Sequence, residues 1–159
     1  MIKKTIKIYT DGAALPTNPG RGGWSFIILE NGQEIDRDSG GFRFTTNNRM
    51  EILAILNSLY ALNEGYKDHK IIIFCDSTYV VNGCNIWSQN WIKTGARKSN
   101  MDLWKQIVEL KKEYDIELRW VRGHNGNHYN ELCDELANKA ANTPYNIADI
   151  IYEKVKYNI

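Results

Sequence analysis

The sequence predicts one mixed α/β domain, a five-stranded sheet with helices on both faces, and three observations predict it. Three segments of strand-like composition follow one another with only short, turn-rich links, which implies antiparallel pairing among them. Helical and strand periods then alternate, and helical crossovers allow the last two strands to pair in parallel. Finally, the 159-residue chain, 43% hydrophobic and 25% charged, has the size and composition of a single globular domain.

The elements follow in order. Strand signals lie at Thr5 to Thr10, Gly23 to Leu29 and Glu34 to Phe44. The turn-rich PTNPGRGG separates the first two, and Asn31-Gly32 reads as the hairpin turn between the second and third. Ile52, Ile55, Leu56, Leu59 and Leu62 then recur at helical spacing, with Leu53 and Tyr60 widening the apolar face of a central helix. Ile71 to Cys75 is a β-branched run suited to a strand buried on both faces, and Ser77 to Asn85 follows as a short helix. Leu103, Trp104, Ile107, Val108 and Leu110 mark another helix, and Ile116 to Trp120 alternates as the last strand. Leu132, Cys133, Leu136, Ala137 and Ala140 form the stripe of a final helix. No repeat or linker interrupts the first 140 residues, so a single domain is expected over 1–141. In the tail, 142–159, Ile147, Ile150, Ile151 and Val155 suit a short helix after Pro144.

Composition narrows the functions. The longest apolar run, Ile71 to Cys75, is far below the roughly 18 residues of a membrane span, so no membrane partner is expected. The N-terminus alternates apolar and polar residues at once, without the apolar core of a signal peptide, and a cytoplasmic location is expected. Cys75, Cys84 and Cys133 are widely spaced, which fits reduced, mostly buried thiols rather than a zinc or redox pair. A net charge of +1 identifies no partner by itself. From Trp87 to Asn100, however, Lys93, Arg97 and Lys98 occur with Trp91 and without an acid, the one local basic and aromatic patch.

Four carboxylates are candidates for chemistry, and each has an ordinary structural explanation. Asp11 precedes a glycine, as turn-forming aspartates do. Glu51 falls in the first turn of the central helix, where the helix dipole favours an acid. Asp76 precedes the short helix and suits an N-cap. Asp134 falls near the start of the last helix. Their placement together weighs more, because ligands of open α/β sheets gather at the carboxyl ends of strands, where Asp11 and Asp76 fall. If the first and fourth strands are parallel neighbours, these two lie within about one 4.8 Å strand spacing. Such a pair repels unless a divalent cation joins it, and all-oxygen ligands favour magnesium or manganese over zinc.

The motifs around these residues resemble the type I ribonuclease H family of the bacterial kind. They are TDG at Thr10 to Gly12, NPGRGG at Asn18 to Gly23, TTNNRME at Thr45 to Glu51, DS and YV around Asp76, VRGHNGN at Val121 to Asn127, and NELCDELA at Asn130 to Ala137. They keep the family's order across roughly residues 5 to 141. The resemblance implies a ribonuclease H-like fold and an endoribonuclease that hydrolyses the RNA strand of RNA–DNA hybrids, leaving 5′-phosphate and 3′-hydroxyl ends, as a monomer. It implies that Asp11, Glu51, Asp76 and Asp134 hold two magnesium ions, with manganese a substitute. His124, in a glycine-flanked loop, is then a proton carrier, although alone it reads as an exposed loop histidine. His69 and His128 keep that plain reading.

By the same resemblance, Asn18, Asn47, Asn48 and Thr78 touch the hybrid's minor groove, where such groups can read the RNA 2′-hydroxyl. Thr46 and Asn100 match positions that hold a phosphate of the DNA strand. Trp87 and Trp91 match contacts to that strand, although their spacing fits core packing equally. Lys93, Arg97 and Lys98 add salt-sensitive attraction for phosphate. The chain departs from the family in three places. The turn between Gly12 and Asn18 has an extra residue, the basic segment is short, and Phe44 stands where a phosphate-contacting arginine is common, with Arg43 one residue earlier and so on the other strand face. Proofreading-type exonucleases are a rival reading, but they carry a Glu two residues after the first Asp, where this chain has Ala13. A non-catalytic hybrid-binding module is the other rival, and it predicts a missing carboxylate.

Overall fold

The structure, a computed structural model, describes residues 3–87, 90, 99–123, 127–144 and 146–157. Strands β1 (Thr5–Leu15), β2 (Gly20–Glu30), β3 (Gln33–Thr45), β4 (Lys70–Cys75) and β5 (Asp115–Trp120) form one sheet in the order β3-β2-β1-β4-β5. β1 pairs antiparallel with β2, β2 antiparallel with β3, and β1–β4 and β4–β5 are parallel. The mixed sheet expected from the sequence is therefore present. The Asn31-Gly32 turn takes φ of 53° and 78°, the left-handed pair that a two-residue hairpin requires.

The helices are α1 (Asn47–Ala61), α2 (Thr78–Asn82), which widens into a π turn over Gly83–Trp87, α3 (Met101–Glu113), α4 (His128–Ala141) and α5 (Ile150–Tyr157). Side chains alternate between two apolar layers, as the strand pleat dictates. Phe26 and Ile28 of β2 join Ile6, Ile8, Ile71 and Ile73 in the larger core, with α1, α2 and α3. Ile27 and Leu29 face the other way, onto Cys133 and Leu136 of α4. Each fully buried Ile or Leu contributes roughly 1.5–3 kcal/mol, so the larger layer carries most of the apolar stabilisation. Tyr60 is not part of the apolar face: it is 55% exposed, and its hydroxyl donates to Gln106 Oε1 at 2.5 Å. Among the described residues no helix is long and apolar enough to cross a membrane. All three cysteines are buried and unbridged.

Several boundaries differ from the sequence reading. Asp11 does not end β1, which runs on to Leu15 because β2 offers partners as far as Leu15 opposite Arg21. Asp, Gly and two alanines break the alternation there, so the local pattern is silent where the tertiary pairing is strong. Thr46 caps α1 by accepting from Arg49 N at 3.2 Å, which puts Glu51 beyond the first turn, out of the dipole's main reach. Asp76 is not the cap of α2; Ser77 is, accepting from Val80 N at 3.2 Å. Asp134 lies in the middle of α4 rather than near its start.

Residues after α4 return to the sheet. Phe42 forms a parallel bridge with Ile147, and Arg43 N donates to Ile147 O at 2.8 Å. The main tie is Arg49, only 5% exposed. Its guanidinium donates to Asp149 at 2.8 and 3.1 Å and to Asp102 at 2.9 and 2.8 Å. Burial pushes this group toward neutrality, but the hydrogen bonds to Asp102 and Asp149 outweigh it and hold its pKa above the ordinary value. One arginine thus joins the starts of α1 and α3 to the approach to α5.

Candidate active site

The site forms where β1 and β4 part. Their parallel register ends with Tyr9 opposite Phe74, and two residues further along each chain stand Asp11 and Asp76. A glycine then brings in the third carboxylate. A Cβ on Gly12 would run into the backbone of Met50 and Glu51, so only glycine lets α1 lie this close to β1. Asn47 Oδ1 accepts from Ala14 N at 2.5 Å and holds the same junction two positions further on. Asp134 reaches the cleft from α4 on the other layer. α4 approaches β2 closely because Gly23 leaves room for the Ala137 carbonyl.

The resulting cleft, ≈ 570 Å³, is lined by all four carboxylates together with Gly12, Asn47 and Asn48. Asp11 and Glu51 are 4% and 6% exposed, while Asp76 and Asp134 are half-buried. Ligating atoms of Glu51, Cys75 and Asp76 lie within 4.8 Å of one another. Asp11 Oδ1 accepts from Gly12 N at 2.9 Å, and Cys75 Sγ lies 3.5 Å from Glu51 Oε2 as a weak donor. Asp76 is set from β5, where Trp120 Nε1 donates to its carbonyl at 3.0 Å. The Gly123 backbone packs so near that an added Cβ would meet Asp76 Oδ2 at 3.0 Å.

The electrostatics are those of acids crowded together in one cleft. Burial, then the charge of Asp76, pushes Asp11 up to about 7. Burial and the charges of Asp11 and Asp76 raise Glu51 well above the ordinary carboxylate range. Burial raises the Cys75 thiol too, so it stays a neutral donor rather than a thiolate ligand. What remains is an oxygen donor set whose charge a hard divalent cation would neutralise, and these residues fit magnesium or manganese.

The other predicted residues divide into groups. Asn18, Asn47 and Asn48 surround the start of α1; Asn18 Oδ1 accepts from Asn47 N at 3.1 Å, so part of its bonding capacity is used within the fold. Thr78 is exposed at the start of α2. Thr46 and Asn100 line a neighbouring cleft together. Trp91, Lys93, Arg97, Lys98 and His124 lie outside the described residues, as does the side chain of Trp87. Sequence reasoning missed Cys75, Gly123 and Trp120, which shape the carboxylate environment. It also missed Arg49, although an arginine inside the TTNNRME block was the available signal.

Comparison with known proteins places this chain among relatives. A family model of RNase H matches residues 3–142. A protein of Hahella chejuensis named Ribonuclease H is 46% identical over 143 residues, 85% of this chain and 92% of that protein. Among solved structures, LC9-RNase H1, described as a type 1 RNase H with the type 2 active-site motif, superposes with a TM-score of 0.75 at 28% identity, covering 89% of this chain and 74% of that one. LC11-RNase H1, solved in complex with an RNA/DNA hybrid, shares the fold with a TM-score of 0.69 at 24% identity, covering 86% and 96%.

Proposed function

We propose, from the premise that this chain belongs to the RNase H family and is a hydrolase of that class, that it cuts the RNA strand of RNA–DNA hybrids with two magnesium ions held by Asp11, Glu51, Asp76 and Asp134. The observation that carries the reading is the cluster of four carboxylates in one cleft, two of them almost fully buried, where the parallel pairing of β1 and β4 ends. Such a cluster opposes folding unless its charge is used. Manganese suits the same oxygen donors.

Bound there, the two cations supply the positive charge that activates water and stabilises the leaving oxygen of an in-line displacement. The chain's own residues do the rest. Asp11 is oriented by the Gly12 N–H, Glu51 by its buried setting beside Cys75, and Asp76 by the packing of Trp120 and Gly123. His124 carries a proton to or from the reacting groups, a task that suits an imidazole, which exchanges protons near neutral pH. Attack by water with departure of the 3′-oxygen leaves a 5′-phosphate and a 3′-hydroxyl. Asn18, Asn47, Asn48 and Thr78 contact the minor groove and read the RNA 2′-hydroxyl. Thr46 and Asn100 hold a DNA-strand phosphate in the cleft that the starts of α1 and α3 share with the Arg49–Asp102 pair. Trp87 and Trp91 lie along the DNA strand, and Lys93, Arg97 and Lys98 attract its phosphates. The protein acts as a cytoplasmic monomer.

The test is a labelled RNA–DNA hybrid incubated with the protein, with and without magnesium, beside an Asp11→Asn variant. The RNA strand is expected to be cut only by the wild type with magnesium. Intact RNA in that sample overturns the enzyme reading, whereas equal cutting by the variant overturns the metal assignment.

A further inference from the structure

A second cleft, ≈ 540 Å³, adjoins the carboxylates, and Asn48 lines both. Its walls differ in kind. One is polar and carries Thr46, Asn48 and Asn100 with the paired Arg49 and Asp102, at the starts of α1 and α3; the other is apolar and carries Ile151, Tyr152 and Val155 of α5. Ile151 is 51% exposed and Val155 80%, so neither serves the core. The apolar wall is nevertheless firmly held. The Tyr152 ring centre lies 5.6 Å from that of Phe44, and the Arg49 guanidinium lies 6.0 Å from it on the ring face. Glu153 accepts from Arg43 at 2.9 Å, and Asp149, just before the helix, is fixed by Arg49.

Phe44 sharpens the meaning of this wall. It is the position where an arginine aimed at phosphate was expected, and here it is a ring against which α5 packs. Arg43 is engaged with Glu153. A charged contact has been exchanged for hydrocarbon beside a polar pocket suited to phosphate. The polar wall is itself ordered: Arg49 Nη1 donates to Asn100 Oδ1 at 3.3 Å, which leaves the amide's donor side for the cleft. Thr46 and Asn100 line the same cleft as Ile151 and Val155, so a nucleotide whose phosphate sits at the first pair has α5 as a facing wall.

We propose that α5 recognises the deoxyribose of the DNA strand, with Ile151 and Val155 packing on its C2′ beside the phosphate held at Thr46 and Asn100. This rests on the hybrid-cutting reading above and adds to it the element that checks the uncut strand. A C2′ methylene meets an apolar wall favourably. A 2′-hydroxyl there loses water and finds no acceptor on Ile151 or Val155, which opposes RNA in that strand. α5 lies beyond residues 3–142, the span the family model matches, so this selectivity belongs to the chain's own tail.

The experiment compares kcat and KM for hybrids whose DNA strand is all-deoxy or carries a single 2′-hydroxyl moved along the strand. The proteins are the full-length wild type, Ile151→Ser/Val155→Ser, Val155→Ser alone, and Ile35→Ser as an exposed control on β3. One 2′-hydroxyl position is expected to lower wild-type kcat/KM roughly tenfold. In the double variant that loss is expected to shrink to about twofold while KM for the all-deoxy hybrid rises about threefold; the control follows the wild type. The single Val155→Ser change, at a largely exposed site, gives the same direction should the double variant unfold. A wild type indifferent to every 2′-hydroxyl, or a penalty that persists in the variants, overturns the proposal. A wild type that cuts no hybrid overturns the hybrid-cutting reading itself, a result separate from either.

Discussion

Asp11 and Asp76 extend the register that sets Tyr9 opposite Phe74, so the parallel β1–β4 pair delivers two carboxylates side by side at its end. Sheet pairing, not local sequence, creates this repulsion, and its consequences are measurable without any substrate.

The first is a pH dependence of stability. The folded pKa of Asp11, about 7, lies above its ordinary 3.8, so the folded state holds that proton more tightly than the unfolded chain. The stabilisation is fully present below about 3.8 and is lost as pH rises through about 7. The difference corresponds to about 4 kcal/mol for an isolated group and is shared here with Glu51. Calorimetry in EDTA is expected to show a lower melting temperature at about pH 8 than at about pH 5, with magnesium restoring much of the loss. Asp11→Asn removes one charge, so its metal-free form is expected to melt above the wild type at about pH 8 while cutting no RNA. An unchanged melting temperature in the variant counts against the crowded-acid account.

The second concerns Gly12. Its missing side chain allows Met50 and Glu51 to approach β1. Gly12→Ala is expected to push α1 away, to cost roughly 1–3 kcal/mol in urea unfolding, and to lower activity more than stability because Glu51 moves with the helix. Wild-type activity in a stable variant shows that the contact is not needed.

Legibility in the sequence followed the range of the interaction. The Asn31-Gly32 hairpin, the β-branched run of β4 and the stripe of α4 are local patterns, and each lies where it reads. The end of β1 is not local: Gly12 to Leu15 has no strand signature and is held by β2 across the hairpin. Asp11 and Asp76 could be argued together from the strand order alone. Glu51 and Asp134 could not, since a helix residue reaches a site only through packing, here set by Gly12 and Gly23. The docking of α5 was invisible for the same reason, because Asp149 and Glu153 look like ordinary surface acids until Arg49 and Arg43 are placed beside them.

The third tests that docking. Arg49 carries Asp102 and Asp149, and the Asp149 side chain is only 9% exposed. Arg49→Met is expected to leave an acid buried without its partner and to destabilise the fold by about 3–5 kcal/mol in chemical denaturation. The loss is expected to be smaller in an Arg49→Met/Asp149→Asn double variant, since the stranded charge is gone. Equal losses in both mean that packing, not the ion pair, holds the tail.

The last concerns the basic segment, where the argument is charge alone. Lys93, Arg97 and Lys98 are its cations, fewer than a long basic protrusion would carry. Each cation that neutralises a phosphate contributes about 0.9 to the slope of log K against log salt on duplex DNA, through release of bound counterions. Replacing all three by alanine is therefore expected to flatten the slope for hybrid binding by about 2 to 3 and to weaken binding most at low salt. Because the carboxylate cleft is untouched, kcat at saturating hybrid is expected to fall far less than affinity. A salt titration of hybrid binding by fluorescence anisotropy measures the slope directly. An unchanged slope means that these cations do not meet phosphate, and that attraction for the hybrid arises elsewhere on the surface.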